Sequence, residues 1–183
     1  MIAETMLVAA DELLWQPLVD GDEHQWRVLH VKSRQEKSLS EALTAMGIAH
    51  YLPLIWRQCY YGNRRAVVKT PLFPSYVFLR GTLDDAYRAD RTKRLANVIC
   101  VADQRQIDWE LRNLRLALTN HAPLDVHAFL TRGVRVRVQS GPFRGLEGVI
   151  EDRSKTGRLV LQVRMLGSAS SLEIDGSLLE LLE

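Results

Sequence analysis

Apolar and polar residues alternate in regular patterns over residues 26–120. Residues 26–32 alternate as a β-strand does, with successive side chains on opposite faces. The segment that follows has the spacing of an amphipathic helix, with apolar positions at Leu39, Ala42, Leu43 and Met46. Ser33-Arg-Gln-Glu36 has the form of a capping box at the start of this helix, and Gly47 predicts its end.

A β-hairpin is predicted after this helix. Residues 49–61 are rich in aromatic side chains and predict one long strand, and residues 64–70 predict the returning strand. Gly62-Asn63 between them is a two-residue turn with glycine first, as a type II′ turn prefers. Residues 75–79 then predict a further apolar strand.

Two more helices and a strand complete this part of the chain. Thr82 is expected to cap a second helix whose buried face holds Leu83, Ala86 and Tyr87, and residues 97–101 predict a strand. The third helix has apolar positions at Ile107, Leu111, Leu114 and Leu118. This order of elements is typical of a split β-α-β sandwich, in which helices cover one face of a mainly antiparallel sheet.

Both ends of the chain have a different character. Residues 1–25 are expected to be an extension that is disordered or docks weakly on the body, because Pro17 interrupts their short helical pattern. Periodicity lapses after the third helix, which predicts a linker over residues 121–131. The remaining residues contain four short β-like segments separated by turn residues, as in a small barrel: 134–138, 146–151, 159–164 and 171–174.

Charge is distributed unevenly along the chain. Residues 1–25 carry six acidic side chains and no Lys or Arg, whereas residues 26–120 carry 16 basic and 8 acidic side chains. Residues 121–183 carry eight of each. An acidic extension therefore precedes a basic domain, which suits a polyanionic partner such as nucleic acid, although scattered cations that only solvate a surface would give the same count.

Several classes of protein are disfavoured by the sequence. No apolar run reaches the ~18–20 residues that a membrane helix needs, and no basic residue precedes the first apolar stretch as in a secretory signal, so we expect a cytoplasmic protein. Cys59 and Cys100 form no metal-binding pattern, and we expect them to be small buried or half-buried residues. The five histidines show no ligand spacing and no catalytic motif is present, so we expect neither an enzyme nor a cofactor.

Two motifs resemble a known family. The first is Leu72-Phe-Pro-Ser-Tyr-Val-Phe78, together with Trp26-Arg-Val-Leu-His at the start of the same domain; it resembles the N-terminal domain of NusG transcription factors. The second is Gly133-Val-Arg-Val with Gly141-Pro-Phe-Arg-Gly145 and Gly148-Val-Ile150, which looks like a KOW motif. The pair stands in the family's order and spacing.

The resemblance implies an α+β fold with two domains. A ferredoxin-like α/β sandwich of the NusG N-terminal type would be followed by a small SH3-like β-barrel, the KOW domain. The expected boundaries are an acidic extension at 1–25, the N-terminal domain at 26–120, a linker at 121–131 and the barrel at 132–183.

The resemblance also implies a function. In the family, the N-terminal domain docks on the clamp helices of RNA polymerase and favours processive elongation, and the chain is expected to be a monomer with no membrane partner. The residues that the motif places at the polymerase are Trp26, His30, Phe73, Pro74, Tyr76 and Phe78. Aromatic side chains supply a large contact area at low entropic cost, although packing in the core is the alternative for these rings. Val77 is expected to point the opposite way from Tyr76, into the core.

Further residues are candidates for other partners. Cations that we expect to contact the non-template DNA strand are Lys32, Arg34, Lys37, Arg64, Arg65, Arg88, Arg91, Lys93 and Arg94. In the KOW domain the candidates are Phe143, Arg144 and Met165, on the surface that in relatives binds a small-subunit ribosomal protein or Rho. The alternative for Phe143 is to plug the end of the barrel.

One departure from the family pattern affects the interpretation. The usual glycine of the first motif is Ser75 here, so we expect the turn before Tyr76 to avoid a conformation that only glycine tolerates. The stretch from Gly62 to Tyr76 is more similar to specialised antitermination paralogues of the RfaH and UpxY kind than to the general factor. A general elongation and termination factor remains the alternative, as does a KOW-containing protein that binds RNA or the ribosome.

Overall fold

The chain forms two compact units, Met1–Arg105 and Gln106–Glu183. A computed structural model describes the following residues: 12–19, 21–61, 64–120, 125–128, 134–150, 157–163, 166, 168–174 and 178–182. Within these ranges, no helix is both long enough and apolar enough to cross a membrane.

The first unit contains both strands and helices. Its elements are β1 (Gln25–Val31), α1 (Glu36–Ala45), β2 (His50–Tyr51), β3 (Leu54–Tyr61), β4 (Arg64–Pro71), β5 (Tyr76–Gly81), α2 (Leu83–Asp90) and β6 (Leu95–Cys100). Helix α3 (Gln104–Thr119) begins at the end of this unit and continues into the second. The elements of the second unit are β7 (Asp125–Ala128), β8 (Val134–Val138), β9 (Glu147–Ile150), β10 (Gly157–Val163), β11 (Ser168–Ile174) and β12 (Leu179–Leu181).

The core of the first unit lies between a sheet and two helices. Four antiparallel strands pair in the order β2-β5-β1-β6. One face of the sheet packs against α1 and α2, and the buried residues of this core are Leu29, Val31, Leu39, Leu43, Ile48, Val77, Leu79, Ala89 and Leu95. Each large aliphatic side chain buried in this way contributes about 1.5–3 kcal/mol. The amphipathic pattern of α1 and the inward direction of Val77 are confirmed.

The predicted start of α1 is wrong in its details. The residue before the helix is Gln35, and no side chain caps the first turn. The carboxylate of Glu36 accepts a hydrogen bond from the backbone amide of Ser75 at 2.8 Å instead of reaching back to Ser33. A tertiary contact has therefore replaced the expected capping box. Gly47 follows the helix with φ of 69°, as a C-terminal glycine does.

Helix α2 has the predicted cap but not the predicted buried face. Thr82 Oγ1 accepts a hydrogen bond from the amide of Asp85, whose carboxylate accepts one from the amide of Thr82. Leu83 and Tyr87 are 55% and 60% exposed, whereas Ala86 is buried. Small alanine side chains let the helix lie close to the sheet, and this packing leaves the larger residues on the outside.

The long strand predicted for residues 49–61 is divided in two. Residues 52 and 53 separate β2 from β3, and the Pro53 nitrogen has no hydrogen to donate to a neighbouring strand. Beyond this break, β3 and β4 pair with each other as a two-stranded antiparallel ribbon. The ribbon confirms the predicted hairpin, and its predicted type II′ turn at residues 62–63 lies outside the described residues.

A histidine links α1 to β2. His50 Nδ1 lies 2.9 Å from the carbonyl oxygen of Ile48, and its Nε2 lies 2.7 Å from Ser40 Oγ. Since a carbonyl can only accept, Nδ1 carries the hydrogen and the neutral Nε2 accepts from the serine hydroxyl. Burial lowers the pKa of His50, so the ring is neutral at pH 7 and the contact is a structural one.

Six strands of the second unit form one antiparallel sheet in the order β12-β8-β9-β10-β11-β7. No pairing joins β12 to β7 within the described residues, so the strands form an open sheet there rather than a closed barrel. Strand β7 lies in the region predicted to be a linker and pairs with β11. The turn between β8 and β9 contains Gly141 and Gly145 at φ of 83° and 87°, a conformation that favours glycine.

Candidate functional site

Two aromatic rings stack at the surface of the first unit. Strand pairing places His30 of β1 opposite Tyr76 of β5. Their ring centroids are 5.3 Å apart with an interplanar angle of 26°, and both side chains are half-buried. Pro74, just before Tyr76, is exposed. His30, Pro74 and Tyr76 are therefore accessible to a partner, and we call them the aromatic site.

The other aromatic residues of the motif lie beneath the surface. Phe73 and Phe78 pack edge to face, with centroids 6.3 Å apart, and are 2% and 0% exposed. Trp26 is 1% exposed. In this conformation these three rings are part of the buried interior and present no surface to a partner.

The turn that leads into Tyr76 adopts a left-handed conformation. Ser75 has φ of 67°, so the expectation that this turn avoids a glycine-type conformation is wrong. Such a conformation costs a residue with a Cβ atom roughly 1–2 kcal/mol. Two hydrogen bonds hold the turn in place: the Ser75 amide donates to Glu36, and the Ser75 carbonyl accepts from the amide of Val31 at 2.8 Å. Glu36 is buried, which strengthens its bond.

Part of the N-terminal extension docks on the first unit. Leu14 is buried, and Trp15 contacts Trp26 and Tyr51 at centroid distances of 5.9 and 5.2 Å. The guanidinium of Arg80, which is 1% exposed, donates to the carbonyl oxygens of this segment; the acceptors are Leu14, Gln16 and Pro17 at 3.1, 2.5 and 3.3 Å. The extension is therefore ordered between Leu14 and Pro17, and Arg80 satisfies carbonyls that a short helical turn leaves open.

Basic residues from two loops come together beyond the end of β1. The amide of Lys32 donates to the carbonyl of Arg94 at 2.9 Å, and Lys32 Nζ donates to the carbonyl of Lys93 at 2.8 Å. Arg34 and Lys93 both have positive φ, at 61° and 58°. These bonds join the loop that precedes α1 to the loop that follows α2.

We call the cations of these two loops and the adjoining helix ends the basic rim: Lys32, Arg34, Lys37, Arg91, Lys93 and Arg94. All are exposed except Arg94, which is half-buried and donates through Nη1 to the carbonyl of Thr92. The sequence suggested two separate clusters, and the Lys32 contacts bring them together. Only Val31 separates His30 of the aromatic site from Lys32 of the rim.

Arg88 has a structural role that sets it apart from the other predicted DNA contacts. Its Nη1 donates to Asp85 at 3.0 Å, and its Nη2 donates to the carbonyl of Met46 at 2.9 Å. These bonds connect α2 to the end of α1. Of the two predicted cations on the hairpin, Arg65 is exposed, and the side chain of Arg64 lies outside the described residues.

The candidates in the second unit lie in the turn between β8 and β9. Phe143 is half-buried, Arg144 is exposed, and Met165 lies outside the described residues. The amide of Arg144 donates to Gly141 and the amide of Leu146 donates to Phe143, at 3.2 and 3.0 Å. These hydrogen bonds fix the backbone of the turn, in which Phe143 is half-buried and Arg144 faces solvent.

A polar cluster centred on Glu147 joins α3 to the sheet of the second unit. Trp109 Nε1 donates to Glu147 Oε2 at 3.0 Å, and the Glu147 amide donates to Asn113 Oδ1 at 2.8 Å. Arg137 donates to Glu147 Oε1, and the Arg135 guanidinium lies 4.9 Å from the centroid of the Trp109 ring. The sequence did not predict this cluster, because its members come from three different elements.

Within the described residues, no group of three or more His, Cys, Asp or Glu side chains is placed to hold a metal ion. The arrangement instead offers an aromatic surface, a set of cations beside it and an exposed ribbon.

Comparison with models of known protein families gives a match over most of the first unit. Residues 24–107 match the NusG family, described as "Transcription termination factor nusG", and the match extends only two residues into the second unit, which begins at Gln106. Among curated proteins, none matches the sequence significantly.

Two solved structures are similar over most of the chain. One, "Domain interaction in Thermotoga maritima NusG", is 22% identical, covers 87% of this chain and 97% of its own, and has a TM-score of 0.46. The other, "Crystal Structure of MjSpt4:Spt5 complex conformation B", is 12% identical, covers 86% and 97%, and has a TM-score of 0.30. Because both TM-scores are below 0.5, neither structure decides how this chain is arranged.

Proposed function

We propose that this chain is a NusG-type transcription elongation factor that docks on the clamp helices of RNA polymerase and favours processive elongation. The observation that carries the proposal is the position of the aromatic site directly beside the basic rim, within the residues that match the NusG family. An aromatic contact and a cationic contact at one end of a domain suit a partner made of protein and nucleic acid together.

The aromatic site is the proposed contact with the clamp helices. His30, Pro74 and Tyr76 form the accessible part, and Tyr76 keeps a polar hydroxyl beside its apolar ring. Trp26, Phe73 and Phe78 are candidates from the same motif, but all three rings are buried, so a direct contact with the polymerase would require their packing to change.

The basic rim is the proposed contact with the non-template DNA strand. Phosphate contacts supply affinity without sequence information, and their strength falls as salt rises. The rim includes six of the nine cations expected to contact DNA, and Arg65 on the ribbon extends the cationic surface. Arg64 remains a candidate, and Arg88 is the weakest because Asp85 already pairs with it.

In this proposal the factor acts by stabilising a state of the polymerase and makes or breaks no bond. A protein that binds the closed clamp more tightly than the open clamp shifts the population towards closure. The factor would act as a cytoplasmic monomer without a cofactor.

The second unit is the proposed recruiting module. We propose that residues 132–183 form an SH3-like barrel of the KOW type. One partner-binding surface of this barrel would include Phe143, Arg144 and Met165. The partner would be a small-subunit ribosomal protein or Rho. The resemblance of the stretch from Gly62 to Tyr76 favours an antitermination paralogue of the RfaH and UpxY kind.

A general elongation and termination factor is the second candidate, favoured by the description of the matching family as a termination factor. In vitro transcription on a template with a pause site and a Rho-dependent terminator tests both. An antitermination factor shortens the pause and lets more transcripts pass the terminator, whereas a general factor increases Rho-dependent release. The proposal would be overturned if the protein altered neither the pause nor the release of transcripts at the terminator.

A further inference from the structure

The β3–β4 ribbon has one face that is exposed from the pair Trp56 and Lys69 towards the tip, over its described residues. Strand pairing places Trp56 opposite Lys69 and Gln58 opposite Val67, and side chains two positions apart share a face. We call the following residues the ribbon face: Trp56, Gln58, Arg65, Val67 and Lys69. All five are exposed. On the opposite face Ile55 and Val68 are half-buried and Arg57 is exposed.

An exposed tryptophan needs a reason, because this side chain is usually mostly buried. Trp56 is 64% exposed and Val67 is 61% exposed, so the ribbon face offers an apolar surface to solvent. Lys69 Nζ lies 4.9 Å from the centroid of the Trp56 ring. This contact orients the ring next to a cation but covers only part of it.

The charged residues in the stretch of chain that contains the ribbon are all basic. Residues 42–83 contain no Asp or Glu, and the ribbon face itself carries Arg65 and Lys69. Trp56 and Arg65 are residue types that protein interfaces also use, but a face with two cations and no acidic group favours a polyanion as its occupant. Aromatic rings between cations are typical of proteins that bind single-stranded nucleic acid, where a base stacks on the ring and the cations contact phosphates.

We propose that the ribbon face binds single-stranded DNA, with a base stacked on Trp56 and neighbouring phosphates held by Arg65 and Lys69. A single strand is required because the bases of a duplex are stacked on each other and their faces are closed to a side chain. The choice of DNA rests on the proposed function, since a transcribing polymerase displaces a short stretch of one DNA strand. At the polymerase, Trp56 would bind the displaced strand independently of its sequence, because every base has an aromatic face that can stack.

Binding of the full chain to a fluorescein-labelled 12-nucleotide single strand tests this proposal by anisotropy, with a duplex of the same sequence measured beside it. Trp56→Ala is expected to weaken single-strand binding about tenfold and to leave duplex binding unchanged. Trp56→Phe is expected to restore most of the affinity, because a phenyl ring still stacks. Tyr87→Ala is the matched control, since Tyr87 is an equally exposed aromatic residue on α2.

A second readout locates the contact. A strand that carries 5-iododeoxyuridine is expected to crosslink under ultraviolet light to the peptide that contains Trp56. In a separate measurement, Lys69→Gln is expected to reduce the dependence of affinity on salt concentration. Wild-type affinity in Trp56→Ala, equal losses on single strand and duplex, or tighter binding of the matching RNA strand would each overturn the proposal. No polymerase is present in these assays, so failure of polymerase docking leaves their result unchanged.

Discussion

The carboxylate of Glu36 accepts a hydrogen bond from the backbone amide of Ser75, 39 positions away in the chain, at 2.8 Å. This bond holds the turn that presents Tyr76 at the surface. It connects the first turn of α1 to the start of β5, next to the stacked pair of His30 and Tyr76. The aromatic site therefore depends on a buried carboxylate that acts through the turn before Tyr76.

Replacing Ser75 with glycine is expected to stabilise the first unit. Glycine removes the strain of φ at 67°, roughly 1–2 kcal/mol, at a cost of up to about 1 kcal/mol in unfolded-chain entropy. The expected net gain in the free energy of unfolding is therefore between zero and about 2 kcal/mol, measured by urea denaturation. Ser33→Gly is the control, because Ser33 does not have positive φ, and it is expected to give no gain. Equal effects of the two substitutions would show that Ser75 is not strained.

Removing the Glu36 carboxylate has the opposite effect. Glu36→Ala leaves the Ser75 amide without its acceptor and is expected to lower the free energy of unfolding by about 1–3 kcal/mol. In the double variant with Ser75→Gly, the loss is expected to be smaller, since glycine adopts the same turn without strain. A loss that is the same in both backgrounds would mean that the two residues are not coupled.

Arg80 is expected to control whether the N-terminal segment docks. Arg80→Met deletes three hydrogen bonds to carbonyl oxygens, so we expect a loss of about 2 kcal/mol or more in the free energy of unfolding and faster proteolysis within residues 12–19. Leu14→Ala is expected to have a similar effect, and the double variant should lose less than the two losses added. If the losses in the free energy of unfolding simply added, Arg80 and Leu14 would stabilise the protein independently, which would contradict this prediction. Arg144→Met is the control, because Arg144 is exposed in the other unit.

Charge reversal on the basic rim is expected to weaken binding to a reconstituted elongation complex. Arg91→Glu and Lys37→Glu suit this test, because both side chains are exposed, whereas Arg94 also holds its own loop. Each lost phosphate contact should flatten the slope of log affinity against log salt by about 0.7. Arg115→Glu, on α3, makes the same change in net charge and is expected to have less effect. A loss of affinity that does not depend on salt would contradict a phosphate contact.

Sequence patterns correctly predicted the parts of the fold that depend on interactions between residues close together in the chain. The apolar stripe of α1, the cap at Thr82 and the pairing of β3 with β4 each depend on residues that are close in the chain or alternate regularly. The buried face of α2 was predicted wrongly, since a stripe of two alanines carries a weaker signal than Leu83 and Tyr87.

The candidate site was predicted only in part, because its contacts join distant segments. The cations of the rim were named from the sequence, but the two bonds from Lys32 that bring the loops together span about sixty residues and leave no local pattern. The same holds for Arg80 and its carbonyl acceptors. Trp56 was missed although alternation along β3 places it on one face with Gln58, and the absence of acidic residues around it was the available signal.

The affinity of the Tyr76→Ala variant for RNA polymerase tests the central claim most directly. Tyr76 is half-buried against His30, so the substitution is expected to leave the circular dichroism spectrum and the urea transition close to those of the wild type. We predict that binding to an elongation complex falls at least about tenfold, as for an aromatic residue at the centre of an interface. Tyr87→Ala, which removes an exposed tyrosine from α2, is predicted to bind like the wild type. Wild-type affinity in a folded Tyr76→Ala protein would contradict the account.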